Sequence, residues 1–236
     1  MINLCISPSQ QQHNKCFTGD AEQDHCFLIA ESIKSRLDLD KRFNVYVIQK
    51  LNAGSDVENL LGAIKLSNEW IKQNGGNGYH LSIHTDGGYN GHGASGFYTS
   101  EVGKKFGLPI WNEMCALTPT ADMSFTQRPG LAELKDTIAV AFLLEVAFHD
   151  NVSEANWVHN SIDKIACAII KGLYKTFGEV EKLDIAEAIA LLKDSEVIMS
   201  PDYWTRNAVK DGMVLGDYAA KLIINMANYI RRNQNV

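Results

Sequence analysis

Up to about residue 178, apolar positions alternate between short continuous runs and longer stretches at helical spacing. Residues 2–6 form a short apolar run stopped by Ser7-Pro8-Ser9, and residues 24–39 then carry apolar side chains along one helix face. The pattern continues with a β-rich run at 44–49 and a helical stretch at 57–73. A glycine-rich break (Gly75-Gly76-Asn77-Gly78) and a third strand-like run at 79–84 follow. Residues 93–98 predict another strand and 101–116 a helix. The nearly unbroken apolar run at 138–148 predicts a central strand buried on both faces. A helix over 161–177 closes this part, and Gly178 with the charged residues 179–182 reads as a helix stop and linker. The order predicts an α/β fold, a mostly parallel twisted sheet flanked by helices, over residues 1–178.

Residues 179–236 predict a small C-terminal helical module. Amphipathic patterns at 185–192 and 218–230 flank Ser200-Pro201-Asp202-Tyr203-Trp204, where the proline suits a first helical position. Tyr203 and Trp204 are expected to anchor this module's packing. The chain carries no internal repeat or low-complexity tract.

Composition narrows the function classes. With 45% apolar residues in 236, the chain can bury a sizeable core. A net charge of −6 without a basic face argues against nucleic-acid binding, which needs phosphate neutralisation. Five cysteines, an odd number with no C-x-x-C pair, indicate reduced and mostly buried thiols. The first residues lack a positive region, and no apolar run approaches the roughly 18 residues that cross a bilayer. No signal peptide, no membrane insertion and cytoplasmic accumulation are the expectation.

In open α/β sheets reactive groups gather beyond the carboxyl ends of strands. The first strand runs into a loop containing Gln10, His13 and Asn14, and the next helix opens at Glu22. The strand Ser82-Ile83-His84 ends in Thr85-Asp86-Gly87-Gly88, whose glycines let backbone approach a ligand. The late strand carries Glu145 and ends in Phe148-His149-Asp150-Asn151. A carboxylate inside so apolar a run must meet a cation, a metal or a proton. Lys135 and Arg128 are the alternative ion-pair partners for it. Histidines and carboxylates of this kind are the donors zinc binds with a position left for water, beside a carboxylate that can take the water's proton. Of the other histidines, His25 and His159 are expected on exposed helix faces, His80 near the far end of the sheet, and His92 in a loop.

Residues 2–177 resemble the amidase-3 family of zinc-dependent N-acetylmuramoyl-L-alanine amidases. The resemblance is closest to the phage and clostridial endolysin-like branch, whose first loop reads Ser-Pro-Ser-x-Gln-x-x-Asn and whose last strand ends Glu-x-x-Phe-His-Asp. It implies the phosphorylase/hydrolase-like form of the α/β fold, with Glu22 and His84 as zinc ligands and Glu145 as the catalytic base. Common members have a Gly-His-Gly ligand loop where this chain has Ser9-Gln10. The aligned Gln10 is a poor zinc ligand, and His13 or His149 is the better third donor. Asn14, Asp86 and His92 are the implied substrate contacts. The implied activity is peptidoglycan hydrolysis at the amide between N-acetylmuramic acid and L-alanine, by a cytoplasmic endolysin or autolysin that reaches the wall on lysis. A related zinc peptidase or hydrolase of other specificity, or a non-catalytic wall-binding protein, are the alternatives. The C-terminal module resembles helical appendages of lysin-like proteins and implies wall binding or homodimer formation.

Overall fold

The first apolar run becomes β1 (Ile2–Pro8), and the stretch behind it becomes α1 (Glu22–Leu37). β2 (Phe43–Val47), α2 (Asp56–Gln73), β3 (Tyr79–Asp86), β4 (Ser95–Tyr98) and α3 (Glu101–Leu117) follow. Next come β5 (Ser124–Gln127), α4 (Ala132–Lys135), β6 (Val140–Phe148), α5 (Val152–Asn160) and α6 (Ile162–Phe177). The computed structural model describes residues 1–88, 91–120, 123–178, 185–209 and 211–233. Residues 179–184, where the linker is expected, lie outside the described residues. The chain forms two compact units, Met1–Glu179 and Val180–Val236.

Six strands form one sheet in the order β2-β1-β3-β6-β4-β5. The pairs β1–β2, β1–β3 and β3–β6 are parallel, while β4 runs antiparallel to β6 and β5 runs parallel to β4. The sheet is therefore mostly parallel with a reversed edge. β5 and α4 arise in a stretch where the apolar pattern specifies no element. β5 is four residues of an edge strand, largely exposed, and an edge strand needs no apolar face of its own.

Period-two alternation sends successive side chains to opposite faces. Leu4 and Ile6 of β1, Leu81 and Ile83 of β3, and Phe142 and Leu144 of β6 enter the main core with Ile29 and Ile33 of α1, Phe106 and Ile110 of α3, and Ile169 of α6. On the other face Cys5 packs with Ala63 and Ile71 of α2, while Ala141 and Leu143 pack with Leu134 of α4. Helices α3 and α6 approach closely enough that a Cβ on Gly172 would stand 2.3 Å from the Ile110 Cα. Three cysteines (Cys5, Cys16, Cys26) are buried, Cys115 is half-buried and Cys167 exposed, all of them free thiols.

The second unit contains α7 (Ile185–Asp194), α8 (Pro201–Asn207) and α9 (Gly216–Asn233). Its core is Ile189, Val197, Ile198 and Trp204, with Tyr203 stacked on Tyr218 at 3.7 Å between ring centres. No described helix is long and apolar enough to cross a membrane.

Candidate metal centre

Because β1, β3 and β6 run in the same direction, their carboxyl ends open on one side of the sheet. His84 of β3 and Glu145 of β6 are direct register partners there, and Ser95 of β4 stands opposite Glu145 on the other flank. Glu22, the first residue of α1, is fully buried. Its Oε1 lies 2.9 Å from His84 Nδ1 and accepts from the Thr85 amide at 3.3 Å. Its Oε2 accepts from Asn14 Nδ2 at 2.8 Å. One donor atom each from Glu22, His84 and Glu145 lies within 4.8 Å of the other two.

The other ring nitrogen of His84 meets Glu133, on α4, at 2.9 Å from Oε2. Glu133 is almost completely buried and also accepts from Ser7 Oγ at 2.5 Å and Ser82 Oγ at 2.6 Å. His80 places Nε2 at 3.4 Å from Glu133 Oε1, an electrostatic contact rather than a hydrogen bond, while Ser67 Oγ meets its Nδ1 at 2.8 Å. His80, Ser82 and His84 share one face of β3, and Ser7 is the register partner of Ser82 on β1. One face of two parallel strands thus surrounds a single carboxylate.

These contacts set the charges. Burial alone would raise the pKa of Glu133, but the close contacts and charges of His80 and His84 outweigh it and hold the carboxyl well below its usual range. Burial would likewise raise Glu22, and His84, Ser9 and Asn14 bring it below its ordinary value. For His84 burial opposes the charged form, yet Glu133 and Glu22 hold its pKa well above the ordinary imidazole value. His80 is pushed up to about 9 against its burial, by Cys5 and Glu133. Glu145 goes the other way, to about 8, chiefly through burial and opposed by His84. Its Oε2 is buried and finds no hydrogen-bond partner among the described residues. Neither Lys135 nor Arg128 answers it: Lys135 reaches Asp136 at 3.9 Å, and Arg128 lies over the Phe97 ring.

The remaining expected site residues divide. His13 has a largely exposed ring whose Nδ1 engages Asp56 at 3.1 Å, outside the Glu22–His84–Glu145 group. His149 is buried and also outside that group, but one side chain removed from it. Its Nδ1 lies 2.8 Å from the Thr85 carbonyl, which can only accept, and 3.0 Å from Thr85 Oγ1, and its Nε2 lies 3.1 Å from Asn14 Oδ1, so it braces the amide that holds Glu22. Gln10 fastens the loop, its Oε1 accepting from Leu51 N and Gln23 Nε2 and its Nε2 donating to the Pro8 carbonyl. Asp86 accepts from the Gly87 amide, and His92 meets Asn151 Nδ2 at 2.9 Å.

Sequence reasoning missed Glu133, whose one signal is a charge set in Leu131-Ala132-Glu133-Leu134, a quartet otherwise apolar. It also missed Glu154, fully buried, which accepts from the amides of Gly93 and Phe148 and from the Thr120 hydroxyl and so fastens the loop after β3 to the end of β6. His25 is buried rather than exposed because α1 turns that side toward Cys16 and His159.

Two carboxylates and an imidazole, with Glu22 and His84 buried and Glu145 half-buried but for an enclosed, unpartnered oxygen, suit a bound cation. A buried charge of this kind needs a counter-charge or a proton. The fold has solved counterparts. The catalytic domain of CwlV, an N-acetylmuramoyl-L-alanine amidase from Bacillus (Paenibacillus) polymyxa var. colistinus, is similar with a TM-score of 0.61 at 18% identity, covering 75% of this chain and 98% of that one. An N-acetylmuramoyl-L-alanine amidase from Clostridium difficile 630 gives 0.62 at 17%, covering 75% and 97%. The catalytic domain of the CD27L endolysin targeting Clostridia difficile gives 0.59 at 17%, covering 74% and 98%. No curated protein matches the chain. The family model described as N-acetylmuramoyl-L-alanine amidase matches residues 5–175, which takes in the second half of β1, all of β3 and β6 and each residue of the site at their ends. By that match this chain belongs to the Amidase_3 family of N-acetylmuramoyl-L-alanine amidases.

Proposed function

We propose that the protein hydrolyses the amide between N-acetylmuramic acid and L-alanine in bacterial peptidoglycan, with zinc at the Glu22–His84–Glu145 site. The convergence of those three side chains at the open end of the parallel strands carries this reading. Glu22 and His84 would hold the ion, whose chemistry is to polarise a carbonyl and acidify a bound water. Of the two candidates for a third protein donor, His149 has the support of a hydrogen-bond path to Glu22 through Asn14, and His13 has none. Glu133 acts through His84. By accepting from Nε2 it fixes the tautomer that leaves Nδ1 turned to Glu22, as carboxylates behind metal-bound imidazoles do.

Glu145 takes the proton of the attacking water and returns it to the leaving amine. Its burial and unpartnered oxygen make it the group most ready to gain a proton here. Asn14, Asp86 and His92 remain the proposed substrate contacts, at the mouth formed by the loops after β1 and β3. For the C-terminal unit the reading is wall attachment or self-association, supported by the exposed Ile223 and Ile224 of α9.

The test is digestion of purified peptidoglycan with metal-loaded protein. New L-alanine amino groups without new reducing ends are expected, and a chelator abolishes their release. New reducing ends, or peptide-bond cleavage in place of the muramyl amide, would reassign the substrate bond. A non-catalytic wall-binding protein is the second reading. It is favoured by one observation, that both ring nitrogens of His84 already have carboxylate partners. Protein that binds peptidoglycan sacculi and carries no zinc after dialysis against the metal would select it.

A further inference from the structure

A second convergence of metal-binding side chains lies outside this site. Asp20 ends the loop between β1 and α1, His25 sits on α1, and His159 lies near the end of α5. Asp20 Oδ2 is 3.1 Å from His25 Nε2 and 3.2 Å from His159 Nδ1, and the two nitrogens are 3.2 Å apart. The three atoms form a nearly equilateral triangle.

Protons serve such a triangle poorly. If both rings turn an N–H toward Asp20, the two N–H groups confront each other. If only one does, the other nitrogen and the carboxylate oxygen oppose lone pairs. A single cation at the centre satisfies all three edges at once. Around a tetrahedral zinc with bonds of about 2.0–2.1 Å, neighbouring donors stand roughly 3.3–3.4 Å apart, close to the spacing found here.

The surroundings are those of a prepared site. The His25 ring is 3% exposed, and its Nδ1 lies 3.6 Å from the buried Cys16 Sγ, a contact that holds Nε2 turned toward Asp20. The loop that presents Asp20 is closed by Cys16 N donating to the Asp20 carbonyl at 2.8 Å and Gly19 N to the Cys16 carbonyl at 2.9 Å. Gly19 takes the left-handed conformation, at φ +92, that this tight closure requires. Asp20 and His159 are about half-exposed, which leaves solvent access for a fourth ligand. Two imidazoles and one carboxylate select zinc and its neighbours over calcium or magnesium, which prefer all-oxygen sites.

We infer that Asp20, His25 and His159 bind a second zinc ion, which ties the β1–α1 loop to α1 and α5. The same loop carries Asn14, and α1 opens at Glu22, so the ion would brace one wall of the first site from behind.

Zinc stoichiometry after equilibrium dialysis of the full chain tests the inference. His159→Ala, at a half-exposed position, should bind one equivalent fewer than wild type, and Asp20→Asn should do the same. In chelator the His159→Ala variant should melt with the wild type, while zinc should raise its Tm by less. An unchanged zinc count in His159→Ala overturns the second site. The outcome is independent of the catalytic reading: if the first site holds no zinc, the counts become one for wild type and none for His159→Ala, and the second site still stands.

Discussion

Glu133 Oε2 and His84 Nε2 meet at 2.9 Å, on the opposite side of the imidazole from Glu22. A short helix between two strands thereby controls which nitrogen of a strand-end histidine faces the open site. Replacing Glu133 with Gln removes the charge but not the shape. The expected result is about 10- to 100-fold weaker zinc binding, the usual cost of losing a partner behind a metal-bound imidazole. Isothermal titration on chelator-stripped protein measures it. Unaltered affinity would reduce Glu133 to a core polar residue.

Glu145→Gln should preserve fold and zinc content while lowering peptidoglycan hydrolysis by about 10²–10⁴-fold, the range ascribed to a positioned general base. Turbidity loss of sacculi gives the rate, and zinc analysis with thermal melting shows the variant intact. Wild-type turnover in an intact variant would remove Glu145 from its assigned step.

His149→Ala and His13→Ala separate the two candidates for the third donor. His149 is joined to Glu22 through Asn14, so its loss should lower zinc affinity at the proposed Glu22–His84–Glu145 site, whereas His13 lies exposed beside Asp56 and its loss should change nothing. Competition with a chromogenic chelator reads both. The reverse ranking would make His13 the donor and require the loop to rearrange on binding.

Stability of the metal-free protein should depend on pH in a particular direction. Glu133 and Glu22 titrate below their ordinary 4.5, so their contribution is complete above that pH and is lost as pH falls through their folded values. His80 is raised from 6.5 to about 9, so its contribution is complete below 6.5 and lost as pH climbs toward 9. Glu145, raised from 4.5 to about 8, keeps a proton that the unfolded chain has released, so stability falls with rising pH across that window too. Tm in chelator should therefore peak on the acid side of neutrality and decline toward pH 9. Glu145→Gln should flatten the decline between 4.5 and 8. A Tm that climbs from pH 6 to 9 would contradict these charge assignments.

Gly172→Ala tests the packing that supports the sheet. Its Cβ would fall 2.3 Å from the Ile110 Cα, a backbone atom that no side-chain rotation can move aside. Overpacking at about 1–3 kcal/mol should exceed the gain of up to about 1 kcal/mol from helix propensity. Urea unfolding should show net destabilisation.

The sequence by itself determined the alternation of strand and helix and the three strand-end segments that carry Glu22, His84 and Glu145. The alternation is a local signal, a period of apolar side chains, and so is Glu145, a charge set inside an apolar run, whereas Glu22 and His84 were singled out by the family pattern. Tertiary structure alone decided the reversed edge of β4 and β5, the enclosure of Glu133 by Ser7, His80, Ser82 and His84, and the different surroundings of His13 and His149. It also decided the meeting of Asp20 and His25 with His159, whose ring lies 134 positions along the chain from His25. Contacts across such separations depend on sheet order and loop path. No residue announces these locally, because the free energy that selects them comes from burial shared over the whole core.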